Sequence, residues 1–86
     1  MAYHIEYSPP ARRAIEGLER GTQRRVLARL EMLSDNPRPP GFVKLINQEA
    51  YRIRVGDYRI IYSIHDDRLV VLVIDVGHRR DVYRRR

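Results

Sequence analysis

The sequence predicts an α+β fold, in which an N-terminal helical hairpin packs on a twisted, mainly antiparallel sheet of four or five strands, followed by a short C-terminal helix. Apolar residues recur at helical spacing up to residue 33, and the period changes to two from residue 51. The segment DNPRPPG (35–41) separates the two halves, because three prolines and a glycine cannot continue a helix. We expect one domain, residues 1–86.

The first half predicts a short strand and two helices. His4–Tyr7 is the candidate strand. Ser8 is followed by two prolines, which predicts a helix start, since serine caps helices and proline is tolerated in the first turn. Gly21 is expected to end this helix and Thr22 to cap the second. The second helix carries an apolar stripe, interpreted as core rather than as a groove for a partner protein: Val26, Leu27, Leu30 and Leu33.

The second half predicts a meander of strands. A short strand at 42–45 is followed by the alternating segment YRIRV (51–55). Gly56-Asp57 suits a two-residue turn of type II′, and 58–64 is the next strand. After a turn at Asp66-Asp67, or a slightly longer one, the nearly all-apolar segment 69–76 predicts a central strand covered on both faces.

The C-terminal end is predicted to change structure at Gly77. This glycine is expected to end the central strand, and residues 78–86 are expected to form the short terminal helix.

Charge favours a polyanionic partner, either nucleic acid, an acidic membrane face or an acidic protein, since the net charge is +6 and the pI is about 10.3. All basic residues except Lys44 are arginines, whose planar forks suit phosphate. Arginine-rich codon usage would give the same count, so position is the stronger argument. The absence of cysteine excludes thiolate chemistry, and the apolar runs are too short to cross a membrane, so we expect a soluble cytoplasmic protein.

The predicted hairpin brings arginines together on one face of the sheet. A two-residue turn places Arg54 opposite Arg59, and Arg52 shares their face because side chains alternate along a strand. Paired like charges destabilise a sheet by up to about 1 kcal/mol, which indicates a binding role. If the register continues across the Asp66-Asp67 turn, Ile74 lies beside Arg59. A slip of one residue in the pairing of the hairpin strands would move Arg59 to the other face.

Other interpretations of these residues stay open. The arginines of the hairpin could lie on a solvated sheet face, pointing into water or stacking on tyrosines. The histidines lack metal-ligand spacing and no carboxylate pair stands out, so neither a metal nor a small-molecule cofactor is expected. His78 precedes an arginine cluster and could touch a ligand or simply lie in solvent.

Three segments together resemble a known family: YSPPARRAIEGL, YRIRVGDYRIIY and VGHRRDVYR. They are similar to the RelE branch of the RelE/ParE superfamily, small toxins of bacterial toxin–antitoxin pairs, and the resemblance covers almost the whole chain. It implies a helical hairpin on an antiparallel sheet, similar to a microbial ribonuclease. RelE-like toxins cleave messenger RNA, typically in the ribosomal A site, whereas ParE-like toxins share the fold and inhibit DNA gyrase.

The resemblance also implies a catalytic set. Its members are a basic pair on one strand, an arginine on the next strand, an arginine after the last strand and a tyrosine in the C-terminal helix: Arg52, Arg54, Arg59, Arg79 and Tyr83. Further RNA contacts are expected from Lys44, His78, Arg80 and Arg84. The prototype has lysines for the pair. Arginine stays protonated, so the pair suits phosphate binding and not proton transfer.

The implied reaction is a metal-independent endoribonuclease reaction. The 2′-hydroxyl attacks the adjacent phosphorus and leaves a 2′,3′-cyclic phosphate and a 5′-hydroxyl. The lack of a well-placed histidine pair predicts weak cleavage of free RNA and dependence on the ribosome to position the substrate. Expected partners are an acidic antitoxin, messenger RNA and the ribosome. The alternatives are a gyrase-binding toxin without catalysis and a degenerate toxin that only binds nucleic acid.

Overall fold

Two helices pack on one face of a five-stranded sheet in the computed structural model, which describes residues 2–78. The elements are β1 (His4–Tyr7), α1 (Pro9–Glu16), α2 (Arg20–Asp35), β2 (Val43–Lys44), β3 (Tyr51–Val55), β4 (Tyr58–His65) and β5 (Val70–His78). The strand order is β1-β5-β4-β3-β2, and only the β1–β5 pair is parallel. The predicted fold class is therefore confirmed, while residues 79–86 of the predicted C-terminal helix lie outside the described residues.

The helical hairpin begins where the sequence predicts. Ser8 caps α1, because its Oγ accepts a hydrogen bond from the backbone N–H of Ala11 at 3.2 Å. The two prolines follow at the first helical positions, where a missing N–H costs nothing. Ser8 Oγ also donates to the carbonyl of Ile74 at 2.6 Å, so the start of α1 is fastened to β5.

The boundary between the helices differs from the prediction. Gly17 ends α1, and Gly21 lies inside α2. Glu19 is the cap of α2, since its Oε1 accepts from the backbone N–H of Thr22 at 3.0 Å. These hydrogen bonds lower the pKa of the Glu19 carboxyl, and a carboxylate at a helix start also meets the positive end of the helix dipole. Glutamate therefore takes the capping role that the sequence analysis gave to Thr22.

The core lies between the helices and one face of the sheet. From α2 it takes three residues of the predicted stripe: Val26, Leu30 and Leu33. From the strands it takes alternate residues: Ile53, Val55, Ile60, Tyr62, Val71, Val73 and Val76. The stripe is therefore core, except that Leu27 remains 41% exposed. Among residues 2–78, no helix is long and apolar enough to cross a membrane.

The β3–β4 hairpin has the predicted register. Gly56 has a φ of +59°, whereas the φ of Asp57 is not positive. A type I′ turn needs a positive φ at both central residues, so this turn fits type II′. Arg54 faces Arg59 across the ladder, and Val55 faces Tyr58. Side chains on both strands therefore lie on the faces that the sequence assigns to them.

The β4–β5 register differs from the prediction in two steps. His65 pairs with Val70, so the connection has four residues, and Leu69 closes it with a φ of +53°. An irregularity between Ile61 and Tyr62 then adds Ile74 as an extra residue on β5. As a result Arg59 faces Gly77 and not Ile74, and Gly77 does not end β5, which continues to His78.

Polar contacts fasten the proline-rich loop to the sheet. The Tyr62 hydroxyl donates to the carbonyl of Pro37 at 2.7 Å. Arg38 donates to both carboxylate oxygens of Asp66, at 3.3 and 2.8 Å, and Tyr3 donates to the same carboxylate. The Arg38 guanidinium and the Tyr3 hydroxyl lower the pKa of Asp66, whereas burial raises the pKa of Tyr62 to about 12. These contacts join the loop that precedes β2 to β4 and to the β4–β5 turn.

Tyr62→Phe should cost about 1–2 kcal/mol of unfolding free energy near neutral pH, since it leaves the Pro37 carbonyl without its buried donor. In the wild type the folded-state pKa lies above the unfolded one. Tyr62 therefore loses its contribution as pH rises from about 10 to about 12. Urea unfolding at several pH values should show that the difference in unfolding free energy between the wild type and Tyr62→Phe shrinks to zero over this pH range. The control is Tyr58→Phe, and a constant difference would contradict this assignment.

Candidate nucleic-acid interface

The arginine face is the side of the sheet opposite the helices, and it carries Arg52, Arg54 and Arg59. The two β3 arginines alternate with Ile53 and Val55, which are buried under the helices. On β4, Ile60 lies in the same core, so Arg59 points to the opposite side. Directly paired residues have Cβ atoms about 4.5–5.5 Å apart, so the Arg54–Arg59 pair concentrates positive charge at one point of the face.

Arg59 is the unusual member of the arginine face because it is buried. Its side chain is 9% exposed, whereas Arg54 is exposed and Arg52 is half-buried. The Nε and Nη1 atoms of Arg59 are buried and have no hydrogen-bond partner among residues 2–78. Most buried polar atoms are paired, and an unsatisfied buried donor costs about 1–3 kcal/mol. Like-charge pairing and unsatisfied donors both oppose stability, which is typical of a site that receives an anion.

Gly77 lies on β5 directly across from Arg59. On the other side of Arg59 stands Arg54 of β3. The buried guanidinium is thus flanked by a second cation and by a residue without a side chain. Neither of these directly paired neighbours offers a side-chain acceptor to the Arg59 donors.

An apolar cluster adjoins the arginines on the same face. Ile61 faces Arg52 across the ladder and is fully buried, together with Ala50. Leu45 and Ile74 pack against these two residues. Leu45 belongs to a loop that turns back after β2, since its N–H donates to the Ala50 carbonyl at 2.9 Å. Arg59, which is buried beside this cluster, lies in a less polar environment than water, which strengthens its attraction for an anion.

Lys44 and His78 are not brought to the arginine face. Lys44 pairs with Tyr51, which packs on the helix side, and its Nζ donates to the Gln48 carbonyl at 2.9 Å. His78 pairs with Tyr58, whose ring meets the imidazole edge-on at 5.7 Å between centroids. By strand alternation this pair also lies on the helix side. An RNA-binding role for either residue remains a prediction.

Four predicted site residues lie outside the described residues: Arg79, Arg80, Tyr83 and Arg84. The structure therefore brings together three of the five predicted catalytic residues. Within the part of the chain that the structure describes, no three histidine or acidic side chains are grouped so as to hold a metal ion.

Neither the burial of Arg59 nor the apolar cluster beside it was predicted from the sequence. Ile61 was the available signal. It lies between Arg59 and Ser63 on the face that was predicted to be polar, so an apolar residue there indicates that something covers the sheet.

Comparison with known proteins assigns the family. Residues 5–83 match the family described as ParE toxin of type II toxin–antitoxin systems, parDE. The chain belongs to this family. The ParE toxin family belongs to the RelE/ParE superfamily, which the sequence motifs predict. The matched residues span almost all of the described helices and strands. The protein is thus the toxin component of a type II toxin–antitoxin system.

Relatives of this ParE-family chain carry RelE-type names. Toxin RelG of Mycobacterium tuberculosis is 33% identical over 91 residues, which cover 99% of this chain and all of RelG. A RelE-like toxin protein of Escherichia coli is 28% identical over 87 residues, which cover 96% of this chain and 92% of the relative. The prediction of a RelE-like member of the superfamily is confirmed.

Solved structures of RelE toxins have the same fold as this ParE-family chain. The archaeal RelE–RelB complex of Pyrococcus horikoshii matches with a TM-score of 0.81 and 28% identity, over 92% of this chain and 97% of that one. The intact Escherichia coli RelBE complex matches with a TM-score of 0.80 and 26% identity, over 90% and 96% of the two chains. Both of these structures contain the toxin with its antitoxin.

Arg59→Met should raise the unfolding free energy by about 1 kcal/mol. The substitution removes two unsatisfied buried donors and a charge that is paired with Arg54. Methionine still fills the space with a long apolar side chain. Thermal or urea unfolding of the purified toxin measures this change. Arg24→Met is the matched control, since it removes the same charge from an exposed position on α2. A loss of stability on Arg59→Met that exceeds the control would show that Arg59 is structural.

Proposed function

We propose that this toxin cleaves messenger RNA on the ribosome, with the arginine face holding the scissile phosphate. The observation that carries the proposal is the buried Arg59 side chain, which has unsatisfied donors and stands opposite Arg54. A phosphate would supply the missing acceptors and offset both charges. Guanidinium groups bind phosphate oxygens with paired, charge-assisted hydrogen bonds.

In the proposed reaction the 2′-oxygen attacks the neighbouring phosphorus. The bond from phosphorus to the 2′-oxygen forms as the bond to the 5′-oxygen breaks. The 2′-hydroxyl gives up one proton and the 5′-oxygen gains one, so the products are a 2′,3′-cyclic phosphate and a 5′-hydroxyl. Negative charge grows on the phosphate in the transition state. Arg52, Arg54 and Arg59 stabilise it with donors that are already aimed at it.

Proton transfer falls to the C-terminal residues in this proposal. Tyr83 orients the 2′-hydroxyl or takes its proton, and a guanidinium group beside it would favour the phenolate form. Arg79 offsets the charge on the leaving 5′-oxygen, while water supplies the proton, because arginine is a poor proton donor. Both assignments follow from the resemblance to RelE toxins.

The proposed dependence on the ribosome follows because the described part of the arginine face has no histidine beside Arg59 to transfer protons. On β4, His65 has the same side-chain parity as Arg59, but it lies six residues away, which is about 20 Å along the strand. Among residues 2–78, therefore, no histidine stands beside Arg59 on its face to transfer protons. Fixing the substrate in a reactive geometry can replace several kcal/mol of chemical assistance, and the ribosome would provide this positioning.

An acidic antitoxin is the proposed partner of the free toxin. Solved relatives contain RelE bound to RelB. The hairpin of this chain offers a cavity of about 250 Å³ where α1, α2 and β1 meet, lined by Tyr7, Arg12, Ile15, Glu16 and Leu27. An apolar side chain of an antitoxin helix suits such a cavity, and acidic residues around it would meet a toxin of net charge +6. We place both this complex and the ribosomal reaction in the cytoplasm.

Gyrase inhibition is the second candidate, because the matching family is the one described as ParE toxin. A gyrase inhibitor needs no catalysis and would leave messenger RNA intact while DNA damage accumulates. The arginine face favours RNA cleavage, since a cluster of arginines suits a scissile phosphate.

Mapping RNA 5′-ends after brief expression should show cuts that repeat in the reading frame and depend on translation. Such periodicity arises because the ribosome advances one codon at a time. Intact messages together with DNA breaks would instead favour the gyrase inhibitor.

Arg59→Ala and Tyr83→Phe should each reduce the cleavage rate by about a hundredfold or more, the effect of losing one charged or proton-transferring group. Single-turnover cleavage in a reconstituted translation mixture measures the rate. Arg24→Ala is the control for net charge. Equal rates for wild type and Arg59→Ala would remove Arg59 from the site.

A further inference from the structure

An apolar strip borders the arginine face along β2 and the loop that follows it. We call Val43, Leu45 and Ile46 the apolar margin. Val43 pairs with Arg52 across the β2–β3 ladder, so it lies on the arginine side of the sheet. Leu45 also leans to that side, because it packs in the cluster of Ile61 and Ala50. Val43 and Leu45 therefore adjoin the arginine face, and Ile46 follows Leu45 in the loop.

Ile46 and Val43 are unusually exposed for their size. Ile46 is 85% exposed and Val43 is 42% exposed. Large apolar side chains that are adjacent and exposed commonly mark a contact surface. Elsewhere in residues 2–78 the exposed large apolar residues are Leu27 and Met32 on α2 and Leu69 in the β4–β5 turn.

The loop that carries Ile46 is held in a defined shape. The N–H of Leu45 donates to the Ala50 carbonyl at 2.9 Å, which closes the loop at its base. The Nζ of Lys44 donates to the Gln48 carbonyl at 2.9 Å, and Asn47 adopts a φ of +62°. Ala50 is two residues before Arg52, about 7 Å along the strand. The loop that carries Ile46 is thus fixed at its base beside β3, so it need not be ordered on binding.

We infer that the apolar margin, with Ile46 at its tip, holds a nucleobase of the RNA strand whose phosphate lies on the arginine face. The inference rests on the proposed function in one respect, namely that the arginine face binds an RNA phosphate. Sites that track a single strand combine positive charge for the backbone with flat or apolar side chains that contact bases. The margin supplies the second component, which the arginines cannot supply.

Binding of oligonucleotides that cannot be cleaved tests the inference. The two probes are a 2′-O-methyl decanucleotide and an abasic sugar–phosphate chain of the same length and charge. Fluorescence anisotropy should show that the wild-type toxin binds the probe with bases at least about fivefold more tightly, as expected for one buried aliphatic contact. Ile46→Ser and Val43→Thr should bring this ratio towards one and leave affinity for the abasic probe unchanged.

Two control variants separate base contacts from other effects. Met32→Ser removes an exposed apolar side chain from α2 and should keep the wild-type ratio. Arg54→Gln should weaken binding of both probes equally and also keep the ratio. Thermal unfolding of each variant checks that the fold is intact.

The inference is wrong if the wild-type toxin binds the two probes equally, or binds neither measurably. It is also wrong if Ile46→Ser keeps the wild-type ratio of affinities for the probe with bases and the abasic probe. If that variant keeps the ratio and loses affinity for the antitoxin of the proposed complex, the margin is a protein-binding surface instead. A toxin that shows the base preference but cuts no translated message would refute the proposed cleavage and not the base contact.

Discussion

The turn at Gly56-Asp57 fixes which side of the sheet each residue of the β3–β4 hairpin faces. Its geometry needs a positive φ at the first position, which glycine adopts without steric cost. Because side chains alternate, a shift by one residue would put Ile53 and Val55 in water and carry Arg52 and Arg54 into the core. Both the hydrophobic core and the arginine face therefore depend on this one connection.

The two faces of the sheet contribute to stability in opposite ways. The helix side buries apolar residues of every strand from β3 to β5 and fastens the proline-rich loop through Tyr62. The arginine side pairs Arg54 with Arg59 and leaves buried donors of Arg59 unsatisfied among residues 2–78. A domain of 86 residues has little stability in reserve. The packing under the helices must therefore offset the cost of the Arg54–Arg59 pairing and of the unsatisfied Arg59 donors.

Local chemistry determined how far the sequence could predict the structure. Ser8 before two prolines and Gly56 before Asp57 each act on their immediate neighbours, so the start of α1 and the β3–β4 register were predicted correctly. The β4–β5 register was wrong because it depends on a left-handed Leu69 and an extra residue at Ile74, neither of which has a local signal. The burial of Arg59 depends on tertiary contacts, and its one signal in the sequence is the apolar Ile61 on the otherwise polar face. The roles of Arg79 and Tyr83 rest on resemblance alone.

The parallel pairing of β1 with β5 has a consequence for how the chain acquires its structure. His4 pairs with Val70, and Ser8 bonds to a carbonyl 66 residues further along the sequence. Such distant contacts carry a large loop-closure entropy and slow the folding of a domain. The first strand has no partner until the last one has been synthesised. The helical hairpin and the β3–β4 hairpin need only local contacts, whereas the β1–β5 pair cannot form before the ribosome has released the chain as far as β5.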